Sequence, residues 1–169
     1  MTFAKRIVLI LIVLVACVGC DQTTKSMAKS CLSDVKSLSL LGDSIRLQLV
    51  YNKGAFLSFG ASLPATWRTV FFSFGVGVVL LGLLGYTVLS KSALPAHIFA
   101  LALLCAGGIG NLIDRLRYGG YVVDFLNIGI GSLRSGIFNV ADIAVVFGVL
   151  VFAVMRISEH STPSVRPSL

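Results

Sequence analysis

The sequence predicts a mainly α-helical membrane protein, with four transmembrane helices and a small antiparallel β-cradle between the first two helices. Of the 169 residues, 56% are hydrophobic and only 12% are charged, and the mean hydropathy is +0.94, which is typical of membrane proteins. The apolar residues are concentrated in four segments, and the last three are long enough to cross a hydrocarbon core of about 30 Å. We therefore treat residues 1–169 as a single integral membrane domain.

The first apolar segment, residues 7–19, follows Lys5 and Arg6 and is the shortest of the four. With Leu-Val-Ala-Cys at residues 14–17, it also resembles the cleavage region of a lipoprotein precursor. Three further apolar segments follow, which a secreted lipoprotein would lack. The helix can also continue through Asp21 and Lys25, which are spaced for an i, i+4 ion pair. We therefore predict a first transmembrane helix over about residues 7–28.

The other three apolar segments predict transmembrane helices over about residues 68–90, 93–114 and 137–157. Apolar and polar residues alternate around residues 45–51, which predicts a β-rich loop over about residues 36–62. The loop over about residues 116–136 is rich in glycine and predicts a further short strand, or a loop that returns over the helix ends. Four spans place both loops on one side of the membrane and both termini on the other.

Charge and cysteine content exclude several classes of function. The net charge of +7 is typical of basic residues that flank helices and contact anionic lipid headgroups. No basic stripe with interleaved aromatic residues is present, so we expect no nucleic-acid partner. Cys17 and Cys20 form a C-x-x-C within an apolar helix without a second pair, and the two histidines lie apart from any ligand cluster. We therefore expect neither a metal nor a cofactor.

Two acidic residues stand out in a chain that has only seven Asp and Glu. Asp142 interrupts the fourth apolar segment, where a carboxylate is costly and marks a functional site by default. If Asp124 folds back beside it, repulsion between the two carboxylates makes them share one proton. The ionised member can then accept a proton from water, while the protonated member donates to a carbonyl oxygen. The structural alternative is that Asp142 caps its helix or forms an ion pair.

Further polar residues border the apolar segments at the same membrane face, and separated polar groups that converge on one face are what a site requires. Asn111 and Asp114 share one helical face, and Asn139 and Asp142 share another. The complete set of supporting residues is Asp21, Lys25, Asn52, Gly54, Asn111, Asp114, Arg115 and Asn139.

In this order, these groups resemble the motifs of the signal peptidase II family, the lipoprotein signal peptidases of bacteria. The motifs read DQTTK at residues 21–25, GGIGNLIDR at residues 107–115, VVDF at residues 122–125 and FNVAD at residues 138–142. A fifth motif shows one departure: the family usually reads N-x-G-A-A-F-S where residues 52–58 read NKGAFLS, so Phe56 replaces an alanine.

The resemblance implies an aspartic endopeptidase in the cytoplasmic (inner) membrane of a bacterium, with Asp124 and Asp142 as the catalytic pair. Asn52, Gly54, Asn111, Asp114, Arg115 and Asn139 would support the substrate or the pair, and Asp21 and Lys25 would form a structural polar motif. The implied substrate is a prolipoprotein that carries diacylglycerol on its lipobox cysteine and is cleaved just before that cysteine. We expect a monomer whose partners are these substrates and membrane lipids.

The resemblance also implies an orientation, with the loops and the site near the extracytoplasmic face. A count of Lys and Arg alone favours the opposite orientation, because the loops hold more of them than the termini and Lys91 combined. Two other functions remain as alternatives: a proton-coupled transporter or small channel, in which buried acids relay protons, and a lipoprotein precursor that begins at Cys17. Clustering of the acids at one face disfavours transport.

Overall fold

The computed structural model describes residues 1–54, 60–90 and 93–161. Within these residues, four helices are long and apolar enough to cross a membrane, and together with a small antiparallel sheet they confirm the predicted fold class. The helices are α1 (Phe3–Leu32), α2 (Ala65–Leu89), α3 (Pro95–Arg117) and α4 (Val140–Ser161). The helix α1 extends beyond the predicted residues 7–28 at both ends, and it continues without a break through Asp21 and Lys25, as predicted.

The helix α2 is not uniform. It follows Pro64 and contains a π-helical segment, Val70–Gly75, between the α-helical parts Ala65–Thr69 and Val76–Leu89. Such segments are rare and insert an extra residue into the helical turn. Within this segment, Phe72 lies near the guanidinium of Arg115 on α3, with 6.0 Å between the Arg115 Cζ and the ring centroid.

The central helix is α3, which contacts each of the other three helices. One core cluster joins α1 and α3 through Ile10, Val13, Ile98, Ala102 and Leu103. The backbones of α3 and α4 approach closely at Gly107, where a Cβ atom would lie only 2.3 Å from the carbonyl oxygen of Ala141. Glycine is therefore required there for packing, as in other close membrane-helix contacts.

The sheet is built from both loops. Its strands are β1 (Leu38–Leu40), β2 (Ile45–Asn52), β3 (Val122–Ile130) and β4 (Leu133–Arg134), all antiparallel and in that spatial order. The β-rich loop between α1 and α2 supplies β1 and β2. The second loop supplies β3 and β4, and β3, with nine residues, is longer than the short strand that the sequence predicts there. The pairing of β2 with β3 places Val50 opposite Asp124 and Asn52 opposite Val122.

The turn at Asp43, between β1 and β2, also contacts β4. Its carboxylate accepts hydrogen bonds from Ser39 and from the guanidinium of Arg46, and the Arg46 bonds hold the pKa of this carboxyl well below its usual range. Its backbone carbonyl accepts a bond of 2.7 Å from Arg134 Nη1. Because Asp43 lies between β1 and β2 and Arg134 lies in β4, this contact links the two loops directly.

At the end of the bundle opposite the sheet, Arg6 of α1 binds the end of α2. Its Nη1 donates to the carbonyl oxygens of Val88, at 3.1 Å, and of Ser90. These are carbonyls at the C-terminal end of α2, which lack helical partners. The sequence presents Arg6 as a basic residue flanking an apolar segment, whereas in the structure it is 6% exposed and caps another helix.

Candidate active site

Asp124 and Asp142 lie together at the end of the bundle that carries the sheet, which we call the carboxylate end. Asp124 belongs to β3, and Asp142 to the first turn of α4. Asn139 contacts both: its Nδ2 donates to Asp124 Oδ1 at 2.7 Å, and its backbone N–H donates to Asp142 Oδ2 at 3.1 Å. One residue therefore sets the positions of the two carboxylates relative to each other.

The contact between Asn139 and Asp142 is a capping box. Asn139 precedes the first residue of α4, and its Oδ1 accepts from the backbone N–H of Asp142 at 3.0 Å. The Asp142 carboxylate returns the interaction to the Asn139 backbone, so two N–H groups at the helix terminus are satisfied. Asp142 therefore does cap its helix, as the structural alternative proposes, but only its Oδ2 takes part in the cap.

The other Asp142 oxygen, Oδ1, accepts from Asn111 Nδ2 at 2.9 Å. The Asn111 amide is oriented by its own Oδ1, which accepts from Lys25 Nζ at 3.1 Å and from Asn139 Nδ2 at 3.0 Å. Lysine can only donate, so the oxygen of the amide must face Lys25 and its nitrogen must face Asp142.

A buried ion network lies beneath the carboxylates. Lys25 Nζ is 2.8 Å from Asp21 Oδ2 and 2.9 Å from Asp114 Oδ2. With Asn111, these partners match the three N–H donors of the lysine. All three charged residues are almost fully inaccessible, at 0% for Asp21, 2% for Lys25 and 1% for Asp114. The i, i+4 spacing of Asp21 and Lys25 predicts their pairing, but Asp114 is contributed by a different helix.

This network also attaches α1 and α3 to the elements that carry the acids. Asp21 Oδ1 accepts from the backbone N–H of Ala141 at 2.9 Å, in the first turn of α4. Asp114 Oδ2 accepts from the backbone N–H of Val123 at 3.0 Å, next to Asp124. Gly110 makes room for the first contact, because a Cβ there would lie 2.7 Å from Asp21 Oδ2. Each acid-bearing element is thus anchored by a buried carboxylate from another helix.

Asp124 receives its second hydrogen bond from the last residue of β2. Asn52 Nδ2 donates to Asp124 Oδ2 at 2.9 Å, and Gly54 N–H donates to Asn52 Oδ1 at 2.9 Å, which orients the amide. Arg115 Nη2 donates to the Gly54 carbonyl oxygen at 3.0 Å. Arg115 thus fixes this segment and does not pair directly with either acid. Phe56 and Leu57, where the sequence departs from the family pattern, lie outside the described residues.

Burial is the largest influence on the charge of Asp124, which is 2% exposed. Loss of hydration, with a further contribution from the neighbouring Asp142, raises the pKa of Asp124 to about 6, although the hydrogen bonds from Asn52 and Asn139 and the charge of Lys25 act in the opposite direction. The group therefore exchanges its proton close to neutral pH, as is useful in an acid–base catalyst.

Both a small polar cleft and an apolar groove adjoin the carboxylates. A cleft of about 10 Å³, lined by both acids together with Asn52, Asn111 and Arg115, has about the volume that one water molecule needs. An apolar groove of about 380 Å³ runs from Asp142 along α4 to Leu150. In the described part of the chain, no group of three His, Cys, Asp or Glu side chains is arranged to hold a metal ion.

All ten residues singled out from the sequence are described and lie at the carboxylate end. Gln22 is a further member that sequence reasoning did not single out. Its Nε2 donates to Asp21 Oδ2 at 3.2 Å, to the Gly110 carbonyl oxygen at 3.2 Å and to Asp114 Oδ1 at 3.0 Å. Its position inside the DQTTK motif was the available signal, but the contacts depend on how α1 packs against α3.

The fold and the buried carboxylates define a multi-pass membrane protein with a polar site of the kind that enzymes contain. A family model described as "Signal peptidase (SPase) II" matches residues 12–158. The chain belongs to the signal peptidase II family. This is a family of proteases that remove signal peptides from prolipoproteins, so the sequence resemblance is confirmed.

Individual relatives agree with this assignment. The chain is 40% identical to the lipoprotein signal peptidase of Moorella thermoacetica over 131 residues, which cover 78% of this chain and 81% of that protein. It is 34% identical to the lipoprotein signal peptidase of Syntrophus aciditrophicus over 161 residues, which cover 95% of this chain and 99% of that protein. A bacterial membrane enzyme solved by the in meso method at 2.3 Å resolution has the same fold, with a TM-score of 0.78 at 23% identity over 98% of this chain and 95% of that one.

Proposed function

We propose that this protein is an aspartic endopeptidase that cleaves diacylglyceryl-modified prolipoproteins just before the lipidated cysteine, with Asp124 and Asp142 as the catalytic pair. The observation that carries the proposal is the cleft between these two carboxylates. Both acids line it, Asn139 holds one oxygen of each, and its volume suits a single water molecule.

In the proposed mechanism, the two carboxylates share one proton before the reaction. The ionised carboxylate removes a proton from the bound water as the water oxygen attacks the scissile carbonyl carbon. The protonated carboxylate donates its proton to the carbonyl oxygen, which gives a neutral tetrahedral intermediate. When the C–N bond breaks, the proton taken from water passes to the leaving amine, and one hydroxyl of the intermediate returns its proton to the other carboxylate, which had donated it. The new acid and amine ends then separate.

The surrounding residues hold the pair. Asn52, Asn111 and Asn139 donate hydrogen bonds to the two carboxylates, and a fixed donor set keeps both acids in place without reorganisation during the reaction. Arg115 and Gly54 hold the end of β2, at Asn52, against β3. The apolar groove that starts at Asp142 has the position and polarity to receive apolar parts of a membrane-bound substrate.

We further propose that the protein is a monomer in the bacterial inner membrane, with the carboxylate end near the extracytoplasmic face. Prolipoproteins are anchored by their diacylglycerol, so the scissile bond is held at the level of the membrane interface. The two helix ends that bear the site, at Asp114 and Asp142, belong to the same interface. The Lys and Arg count opposes this orientation, but Arg46 and Arg134 of the sheet and Arg115 near the end of α3 make structural contacts within the site and the sheet.

The deciding experiment compares purified wild-type protein with Asp124→Asn and Asp142→Asn on a diacylated prolipoprotein and on its unlipidated form. We expect wild type to release the signal peptide from the lipidated form only, and both variants to lose cleavage. The matched control is Asp34→Asn, which makes the same change at an exposed position. Full activity of either site variant would refute the assignment of the pair.

Stability measurements separate chemistry from helix capping at Asp142. An asparagine at this position keeps one oxygen that can accept from the Asn139 backbone N–H, so the cap survives. If Asp142 is catalytic, Asp142→Asn abolishes cleavage with little change in thermal stability. If its role is helix capping alone, the surviving cap preserves both cleavage activity and thermal stability in Asp142→Asn.

A further inference from the structure

Two turns of the sheet lie together at one of its ends, away from the carboxylates. Because β2 and β3 are antiparallel and Ile45 is opposite Ile128, the turn between β1 and β2 lies beside the turn between β3 and β4. The other end of the pairing, at Asn52 and Val122, carries the candidate active site and is about 23 Å away along the strands. We call the end with the two turns, residues 40–45 and 128–134, the sheet tip.

The sheet tip exposes large aliphatic side chains. Ile130 and Leu133 are each 83% exposed, and Leu41 is 76% exposed. Leu40 and Ile128 are exposed as well. Leu41 also has a φ of 50°, a left-handed conformation that leucine rarely adopts and that turns normally assign to Gly, Asn or Asp. Neither packing nor turn geometry therefore favours leucine there, and a cluster of exposed aliphatic side chains marks a contact surface.

Hydrogen bonds join the two turns, and the charges of the tip are paired. The Gly129 N–H donates to the Ser44 carbonyl oxygen at 2.9 Å, which links one turn to the other. The Asp43 carboxylate accepts from Arg46 Nε at 2.6 Å, and its backbone carbonyl accepts from Arg134. Paired charges are tolerated near lipid far better than isolated ones. The aliphatic side chains are therefore presented from a fixed frame with little uncompensated charge.

The sheet lies beside the end of α1 and not beyond it. With 30 residues, α1 is about 45 Å long, and a bilayer with its headgroup regions is about 40–45 Å thick. An apolar groove of about 270 Å³ separates α1 from the sheet, and its lining includes Thr24, Met27, Leu38 and Leu47. Thr24 lies about 12 Å before the end of α1 at Leu32. This side of the sheet is therefore in the headgroup region and not in the water beyond it.

An exposed apolar surface leads from α1 to the sheet tip. Its members are Met27 and Cys31 of α1, Val35 after the helix, and Leu38 and Leu40 of β1, all of which are exposed. Lipid covers the exposed apolar side chains of a transmembrane helix. Because the surface is continuous, the lipid that covers the end of α1 also reaches the tip.

We propose that the sheet tip inserts into the membrane leaflet next to the carboxylate end, with Leu41, Ile130 and Leu133 at the boundary between headgroups and acyl chains. Interfacial protein segments bury their apolar face to a depth of about 5–10 Å at this boundary. The partner is the lipid bilayer itself, because the tip continues the lipid-facing surface of α1. Since Asp124 belongs to β3, insertion of the tip also fixes the depth of this carboxylate relative to the membrane surface.

The test places a tryptophan at the sheet tip. Trp67, which is the single tryptophan of the chain, is replaced by phenylalanine, and Ile130→Trp or Leu133→Trp is added in turn. The full-length variants are reconstituted into phosphatidylcholine vesicles, with brominated acyl chains as the quencher in lipid and acrylamide as the quencher in water. Phe74→Trp, at an exposed position of the α2 span, is the control for contact with lipid. We expect brominated lipid to quench the tip variants and the control to a similar extent, and acrylamide to quench neither.

Tryptophan itself favours membrane interfaces, so a second comparison tests the natural side chains. Leu41→Ser and Ile130→Ser are added to the Leu133→Trp variant, which should lower quenching by brominated lipid and raise quenching by acrylamide. The matched control places the two serines at Leu89 and Leu94, which are exposed at the opposite end of the bundle, and should change neither signal.

Three results would each overturn the proposal. Strong quenching of the tip variants by acrylamide, without quenching by brominated lipid, would place the tip in water. Protection from both quenchers would show that protein covers the tip, as in contact with a second copy of the chain. Unchanged quenching after Leu41→Ser and Ile130→Ser would show that the natural aliphatic side chains do not drive insertion.

Discussion

Replacing Lys25 with methionine should destabilise the protein more than any other single charge removal in α1. Methionine keeps the length of the apolar stem but lacks the ammonium group, which contacts Asp21 at 2.8 Å, Asp114 at 2.9 Å and Asn111 at 3.1 Å. Two buried carboxylates are then left without their cation. Breaking a buried ion pair by removing one partner costs about 3–5 kcal/mol.

This loss corresponds to a fall in melting temperature of about 6–20 °C, at about 2–4 °C per kcal/mol for a chain of this size. Thermal unfolding in detergent, followed by light scattering or by exposure of buried cysteine, measures it. The control is Lys36→Met, which removes the same charge from an exposed position and should shift the midpoint by no more than about 1 °C. Cleavage activity should also fall, because Lys25 orients the Asn111 amide towards Asp142.

A second variant tests the cause of the loss. If the carboxylates left without a cation are responsible, Asp21→Asn added to Lys25→Met should restore part of the stability, although Asp21→Asn alone destabilises the wild type. Such opposite effects are the sign of a direct interaction in a double-mutant cycle. A loss below about 1 kcal/mol for Lys25→Met, or additive effects of the two changes, would refute the reasoning.

Two further predictions concern packing and pH. Gly107→Ala places a methyl group 2.3 Å from the Ala141 carbonyl oxygen and should lower the free energy of unfolding by about 1–3 kcal/mol or more. The control Gly82→Ala, at a position with open space, should leave that free energy unchanged or slightly higher, and equal thermal-unfolding midpoints for the two variants would contradict the prediction. The pKa of Asp124 is raised from 3.8 to about 6. The contribution of this group to the free energy of unfolding is therefore fully present below about pH 4 and is lost as the pH rises to about 6, which lowers that free energy by about 3 kcal/mol. Asp124→Asn should lack this loss, and parallel pH–stability curves for variant and wild type between pH 4 and 7 would contradict it.

Most of the fold could be predicted because the membrane imposes a simple rule on sequence. A span must satisfy its backbone internally and present apolar side chains to lipid, so hydropathy identifies the four helices. The sheet was only partly predictable. Residues 45–51 alternate clearly, whereas Val122–Ile130 has an irregular pattern because its first four residues are all buried. A strand that is covered on both faces loses the period-two signal.

The types of residue that form the candidate site could be predicted from the sequence, but the contacts between them could not. Acids and amides in apolar surroundings are conspicuous, which is why Asp124, Asp142 and Asn139 stand out. The sequence does not indicate that Asn139 contacts both acids, that Arg115 binds the Gly54 backbone, or that Gln22 joins the ion network. These contacts join residues that are far apart in the chain and depend on the rotation and depth of each helix.

The sequence by itself determined the four spans, the membrane class, the family and the pair of acids, because desolvation makes every polar residue in an apolar segment conspicuous. Only the tertiary structure decided how charge is compensated around that pair. In the structure, Lys25 contacts Asp21, Asp114 and Asn111 together. Asp142 both caps α4 and lines the cleft, and Arg6 caps the C-terminal end of α2. The physical reason is that the cost of burying a charge follows from its residue type, whereas the compensation depends on geometry between helices that no local pattern encodes.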